Sequence, residues 1–292
     1  MSTFVALSFS GIAYGGIIAL VAIGFLVLYK ATGIVNFAHG DLVTTGAYFG
    51  IWALTDLNLG TALAYVLVLA MMFAAGVLLE RVAYAPLRKA SPITVVLSTL
   101  GIAIAIRALL GVWQGTTPKD MPSPFAAPGV VHIAGAAISD QRLLVIAVAA
   151  AVIGGFCLVF YRTGFGRTLQ AMASDREMTQ LVGIRVRTLS MVVFGLSAAL
   201  AGLAGLLVGP LQAVTQNLGF NLMITAFAAA VFGGFGSLGG VVVSGLVVGI
   251  VQQVVGNYVL TSYSQVLPFI LMIVVLIIRP QGLFRALSGS RL

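Results

Sequence analysis

The longest charge-free stretch of the sequence covers residues 188–278, a run of 91 positions without Asp, Glu, Lys or Arg. A soluble domain carries roughly a quarter charged residues, so it could not hide such a stretch behind polar surface. The whole chain shows the same bias, because 60% of its 292 residues are hydrophobic and only 8% are charged. A lipid bilayer solvates apolar helices at no such cost. The sequence therefore predicts an integral membrane protein.

The charged residues fall mainly in three clusters between apolar runs. Excess Lys and Arg in short loops marks the cytoplasmic side of a membrane protein, so we assign all three clusters to that side. This distribution explains the net charge of +8 without nucleic acid, and we expect no nucleic-acid partner. The clusters are Glu80, Arg81, Arg88 and Lys89; the segment 162–187; and Arg279, Arg285 and Arg291.

Three cytoplasmic points limit how often the chain crosses the membrane between them. A crossing takes about 20 apolar residues, so the charge-free stretch fits four crossings better than two. The other runs add two crossings before Arg162 and three before Arg81, and the middle one of those three could instead be re-entrant. We predict an all-α, polytopic transmembrane helix bundle forming one domain, 1–292, with about eight or nine membrane helices, some broken or re-entrant. The side of the N-terminus stays open. The runs are 7–29, 36–55, 59–79, 91–111, 142–161, 189–209, 220–235, 238–258 and 264–278.

Composition also bounds the chemistry. The single cysteine, Cys157, excludes an intrachain disulfide and a cysteine-cluster metal site. No P-loop sequence occurs, so we expect no ATP hydrolysis by this chain itself. Glycine is abundant, and three pairs have the four-residue spacing that lets membrane helices approach closely. Those pairs are Gly11/Gly15, Gly205/Gly209 and Gly245/Gly249.

The first candidate functional segment places an amide, an imidazole and a carboxylate within residues 36–41. Ionisable groups at membrane depth are costly and tend to line solute pathways, so Asn36, His39 and Asp41 are candidate pathway residues. The flanking Gly33 and Gly40 would permit a broken helix, with Asn36 capping a helix that starts at Phe37. The alternative is an ordinary interfacial turn.

The second candidate segment is the cytoplasmic loop 162–187. Gly164 and Gly166 end the preceding membrane run, and residues 167–182 read as one short amphipathic helix. Acidic and basic residues are mixed along it, which favours docking on a partner protein over binding to lipid.

The third candidate is a glycine-rich turn at 233–240, which contains Gly233, Gly234, Gly236 and Gly239. It is either a tight turn between two helices or a moving gate. Arg107 is a lesser candidate, which we expect to reach from the outer end of its helix to the membrane interface. A loop rich in Pro, Gly and Ser, 113–141, is expected on the periplasmic side.

Four stretches of the sequence together resemble the permease family of branched-chain amino acid ABC importers (LivH type). They are Asn36–Asp41, the loop from Gly164 to Ile184, the glycine turn at 233–240 and the ending Arg279-Pro280-Gln281-Gly282-Leu283. The resemblance runs over nearly the whole chain. It implies a non-enzymatic subunit of a bacterial inner-membrane transporter, with a second permease as partner, identical or homologous. The other implied partners are two cytoplasmic ATPases, which hold the ATP, and a periplasmic substrate-binding protein.

In that family the loop between membrane helices supplies the coupling helix that docks on the ATPase. Carried over here, this helix spans about Arg167–Gly183 and includes Asp175, Arg176 and Glu177. The sequence Ala173-Ser174-Asp175 departs from the Glu-Ala-Ala signature of other importers. The substrate does not follow from the motifs, because relatives move several kinds of small metabolite. The competing function is a secondary transporter in which His39 and Asp41 relay protons; a membrane enzyme is a weaker alternative.

Overall fold

The computed structural model describes residues 2–88, 90–125, 129–133, 135–258, 266–279 and 282–283. Eleven α-helices and one two-stranded antiparallel hairpin occur in this part of the chain. Short π-helical stretches, Trp52–Asp56 and Glu80–Tyr84, extend the second and third helices. The elements are α1 (Ser2–Thr32), α2 (His39–Ile51), α3 (Thr61–Leu79), α4 (Pro92–Gln114), β1 (Val130–Ile133), β2 (Ala136–Ser139), α5 (Asp140–Arg162), α6 (Gly164–Ser174), α7 (Arg176–Leu181), α8 (Val186–Val208), α9 (Leu218–Gly233), α10 (Leu238–Tyr258) and α11 (Leu267–Ile278).

The predicted transmembrane helix bundle is confirmed. Six helices are long and apolar enough to cross a membrane: α1, α3, α4, α5, α8 and α10. Three shorter helices, α2, α9 and α11, occupy the other predicted runs. The predicted periplasmic loop 113–141 also contains the hairpin, in which Val130 pairs with Ser139 and Ile133 with Ala136.

The described chain forms two compact units. The first unit comprises Met1–Ile23, Ser123–Gly154 and Leu222–Leu292, and the second comprises Gly24–Pro122 and Gly155–Asn221. Within the first, α1 meets α10 at the predicted glycine pairs. A Cβ at Gly11 would lie 2.6 Å from Ile250 Cα, and one at Gly249 would lie 2.7 Å from the Gly11 carbonyl oxygen. The backbones of the two helices therefore touch, as small residues at this spacing allow.

The second unit is built around α8, most of which is buried. Glycines again bring backbones together: a Cβ at Gly46 of α2 would lie 2.8 Å from the Gly202 carbonyl oxygen of α8. On another face, a Cβ at Gly76 of α3 would lie 2.7 Å from Ala198 Cβ. Gly205 meets α2 as well, with its Cβ position 2.7 Å from Ala47 N. These contacts fix α2 and α3 against α8 with no side chain larger than a methyl group between the helices at these points.

Candidate functional site

The chain breaks between α1 and α2, as the glycines around residues 36–41 predicted. Gly33 has a φ of +72°, a conformation that favours glycine, and α2 begins at His39. The expectation that Asn36 caps a helix starting at Phe37 was wrong. Instead, Asn36 Oδ1 accepts a hydrogen bond from Ala38 N at 3.0 Å and closes the turn before α2. Gly40 lies inside the first turn of α2 rather than at the break.

A pocket lies beside this break, between α1, α3, α4 and α8 in the second unit, and is called the cavity below. Apolar side chains form most of its wall, including those of Leu28, Leu79 and Ile102. No charged residue lines it among the described residues. Its polar lining comes from Thr32, Asn36, Ser98 and Thr99. The cavity therefore suits an aliphatic group with a small polar end.

His39 does not line the cavity and is fully buried. Its Nδ1 lies 3.2 Å from Ser197 Oγ, which donates a hydrogen bond to the Gly24 carbonyl oxygen at 2.9 Å. Gly24 makes room for the ring, because a Cβ there would lie 2.9 Å from His39 Cε1. Ser197 is the midpoint of α8. The start of α2 therefore lies level with the middle of a candidate membrane span.

Asp41, also fully buried, pairs with Arg107 of α4. The guanidinium donates from Nε to Oδ1 at 3.1 Å and from Nη2 to Oδ2 at 3.3 Å, a bidentate arrangement. The Phe220 ring covers one face of the guanidinium, with its centroid 5.1 Å from Cζ. The expectation that Arg107 reaches for the membrane interface was wrong, because its charge is directed to a carboxylate on a neighbouring helix.

The three predicted pathway residues thus have different surroundings. Asn36 faces the cavity, His39 faces α1 and α8, and Asp41 faces α4. Their role in solute passage stays a prediction. Sequence reasoning missed Arg107 and Ser197 as their partners. For Arg107 a signal existed, since a lone cation inside an apolar run needs a counter-charge at the same depth.

The predicted coupling segment, 162–187, forms two helices instead of one. α6 and α7 meet at Asp175, whose φ of −153° and ψ of 113° are extended. Its Oδ1 accepts from Met178 N at 3.0 Å, so Asp175 caps α7 in the manner typical of aspartate. This cap interrupts the helix expected over 167–182. Arg176 and Glu177 form the first turn of α7, and their side chains lie outside the described part of the structure.

Glycines shape both ends of this segment. Gly164 starts α6 and has open space around it, whereas a Cβ at Gly166 would lie 2.7 Å from Phe160 Cα. Gly166 therefore permits the close approach between the end of α5 and the start of α6. Gly183, after α7, has a φ of +86° and leads to α8. Leu169 and Met172 are buried, which holds α6 in place, and the Arg167 N–H donates to the Thr163 carbonyl oxygen.

The glycine-rich turn joins α9 to α10. Gly234 has a φ of +82°, and Ser237 Oγ accepts from Gly240 N at 3.1 Å at the start of α10. A Cβ at Gly233 would lie 2.6 Å from both the Gly240 carbonyl oxygen and Ser244 Oγ. The turn is therefore tight. Gly236 lies within it, and Gly239 lies in the first turn of α10. From the predicted ending, Arg279, Gly282 and Leu283 are described, whereas Pro280 and Gln281 lie outside the described residues. Leu283 N donates to the Phe232 carbonyl oxygen at 3.0 Å.

Comparison with known proteins gives a consistent family. The high-affinity branched-chain amino acid transport system permease protein BraD of Pseudomonas aeruginosa is 32% identical over 286 residues, which cover 94% of this chain and 93% of BraD. The corresponding LivH protein of Escherichia coli is 31% identical over 292 residues, covering 96% and 95%. A probable LivH of Methanocaldococcus jannaschii is 28% identical, covering 93% and 90%. Residues 7–276 match the family described as the permease component of the branched-chain amino acid transport system. The chain therefore belongs to this family of ABC-importer permeases.

Proposed function

We propose that this permease imports aliphatic amino acids or closely related small metabolites across a bacterial inner membrane. In the proposed complex it pairs with a second permease, receives solute from a periplasmic binding protein and is driven by two cytoplasmic ATPases. ATP binds to those partners, and this chain binds no cofactor. The observation that carries the proposal is an exposed apolar surface on the coupling segment.

That surface consists of Met178, Leu181 and Val182, which are 61%, 79% and 79% exposed. They lie on and just after α7, outside the helices long enough to span a membrane. Large apolar side chains so exposed in a polar segment are typical of a protein interface. Because α6 is anchored by buried side chains and Gly183 leads to α8, a partner docked on α7 would push on α8 directly.

The test of docking is Gly183→Pro. Proline fixes φ near −65°, which is incompatible with +86°, and it removes the N–H that donates to the Gln180 carbonyl oxygen at 3.0 Å. The matched control is Gly60→Pro, because Gly60 has a φ of −60° and open space around it. We expect both variants to insert in the membrane and only Gly183→Pro to lose copurification with the ATPase. Copurification of both variants with the ATPase would contradict the docking proposal.

The cavity beside Asn36 supports the substrate class. Its wall is mostly apolar, and no charged side chain lines it among the described residues, which suits an aliphatic side chain and disfavours a charged one. Asn36 supplies a polar group at one end of the cavity. Its Oδ1 accepts a hydrogen bond from Ala38 N, and its amide nitrogen has no hydrogen-bond partner among the described residues. An amide N–H pair is a suitable donor to the carboxylate or carbonyl of a small solute.

Two substitutions separate a pathway role for Asn36 from a turn role. Asn36→Leu removes both the amide donors and the acceptor of the turn, whereas Asn36→Asp keeps the acceptor for Ala38 N. If the amide contacts solute, both variants lose leucine uptake while still copurifying with their partners. Normal leucine uptake by Asn36→Asp, together with loss of uptake in Asn36→Leu, would show that Asn36 acts only by holding the turn.

Proton relay through His39 and Asp41 is the competing mechanism. ATP depletion that abolishes uptake, with an uncoupler that leaves it intact, supports ATP coupling. The reverse pattern would establish proton coupling instead.

A further inference from the structure

The Arg107 guanidinium keeps one edge free. Of its five N–H donors, two bond Asp41, and Nη1 has no hydrogen-bond partner among the described residues. The Arg107 side chain is 29% exposed, although the Asp41 side chain is buried. Arg107 lies about two turns before the end of α4, inside a helix that can span a membrane. A partly exposed cation is therefore held at membrane depth.

The surroundings of this edge argue against lipid contact. On the same helix, Ile104 and Leu109 are each 68% exposed, and lipid or an apolar subunit interface can cover them. A guanidinium edge cannot be covered this way, because charge in hydrocarbon is expensive and normally faces a water-filled cavity or a charged partner. The free edge of Arg107 thus indicates which side of α4 faces a polar path.

Local electrostatics make this point attractive to an anion. Asp41 cancels the charge of Arg107, but Asp41 lies in the first turn of α2, and Phe220 lies in the first turn of α9. The two helix starts touch, since a Cβ at Gly219 would lie 2.6 Å from Thr44 Oγ1. Each helix N-terminus carries roughly half a positive charge. Two such ends beside a neutralised ion pair leave about one positive charge uncompensated.

We propose that the free edge of Arg107 binds the carboxylate of the transported solute as it passes through the permease, with Asp41 as a positioning residue that orients the guanidinium. This inference rests on the proposed function for the identity of the solute. It adds a binding contact at membrane depth that is separate from the cavity at Asn36, because Arg107 does not line that cavity.

The first test separates binding from structure. Arg107→Gln alone leaves Asp41 buried without its partner, so misfolding could explain any loss. The double variant Arg107→Gln/Asp41→Asn removes both charges and keeps a hydrogen-bonding pair. We expect the double variant to insert and to copurify with its partners, but to import leucine about 10- to 100-fold more slowly in proteoliposomes supplied with saturating binding protein. Asp41→Asn alone keeps the Arg107 charge and should lose less. Leucine import by the double variant at the parent rate would overturn the inference.

The second test uses thiol labelling. Cys157 is the only cysteine, so Cys157→Ala gives a cysteine-free background. Arg107→Cys, combined with Asp41→Asn, should react with a charged, membrane-impermeant thiol reagent, and leucine-loaded binding protein should slow the reaction. The matched control, Leu109→Cys, should react only with a membrane-soluble maleimide. Labelling of position 107 by the membrane-soluble reagent alone would show that it faces lipid and would overturn the inference.

The two tests also separate this inference from the proposed function. If the parent protein, which is the control in the first test, imports no leucine, the proposal that this permease imports aliphatic amino acids is contradicted. The accessibility of position 107 to the charged reagent then decides the inference, and failure to react overturns it.

Discussion

The contact between α2 and α8 gives a quantitative test of how the candidate site is held. In Gly46→Ala, the new Cβ would lie 2.8 Å from the Gly202 carbonyl oxygen and 3.0 Å from its carbonyl carbon, where ordinary contacts begin at 3.4 Å. Both obstacles are backbone atoms, so the two helices must separate by about half an ångström or more. Overpacking of this kind costs about 1–3 kcal/mol, offset by up to about 1 kcal/mol from the better helix propensity of alanine.

A net loss of about 1–2 kcal/mol should lower Tm by about 2–4 °C in a protein of this size. The matched control is Gly101→Ala on α4, where nothing lies within 4 Å of the new Cβ. Alanine there gains helix propensity without a clash, so its Tm should equal or exceed that of the parent. Thermal unfolding of both variants in the same detergent is the assay. A Tm for Gly46→Ala equal to that of Gly101→Ala would refute the close packing of α2 on α8.

Two further predictions concern the capped and hydrogen-bonded positions. Asp175→Ala removes the cap of α7 and should cost about 1 kcal/mol of local stability, seen as faster hydrogen exchange in residues 176–182 with global Tm unchanged; unchanged exchange there contradicts the cap. Ser197→Ala removes the hydroxyl that joins His39 to the Gly24 carbonyl oxygen and should cost about 1–3 kcal/mol, because buried polar groups lose their partner. Its Tm should fall. Ser8→Ala, at a half-buried serine whose hydroxyl donates only to the Phe4 carbonyl oxygen of its own helix, should leave Tm unchanged.

The sequence predicted the helices well because apolar run length is a local property. Every predicted run contains a helix, and the glycine spacings at Gly11/Gly15 and Gly245/Gly249 correspond to real backbone contacts. The break at Asp175 was missed because an aspartate inside an amphipathic pattern can either continue a helix or cap a new one. Local pattern does not decide between the two.

The candidate site was harder to predict because its contacts join distant parts of the chain. Asp41 and Arg107 are 66 positions apart, and His39 and Ser197 are 158 apart. The cost of charge at membrane depth indicates that each ionisable group has a partner, but it does not say which one. The cavity beside Asn36 depends in the same way on four helices meeting, so only its polar residue near the break was identified in advance.

A physical route connects the coupling segment with the buried ion pair through α8. This helix begins three residues after Gly183, and its middle holds His39 through Ser197. Between α8 and α2 the contact at Gly46 and Gly202 is backbone against backbone, with no flexible side chain to absorb a shift. A displacement of α8 must therefore carry α2, and with it Asp41, which holds the Arg107 guanidinium at two points. Movement at α7 would thus reorient the free edge of Arg107. Such a reorientation would let Arg107 bind solute with different affinity in two states of the transporter, as transport requires.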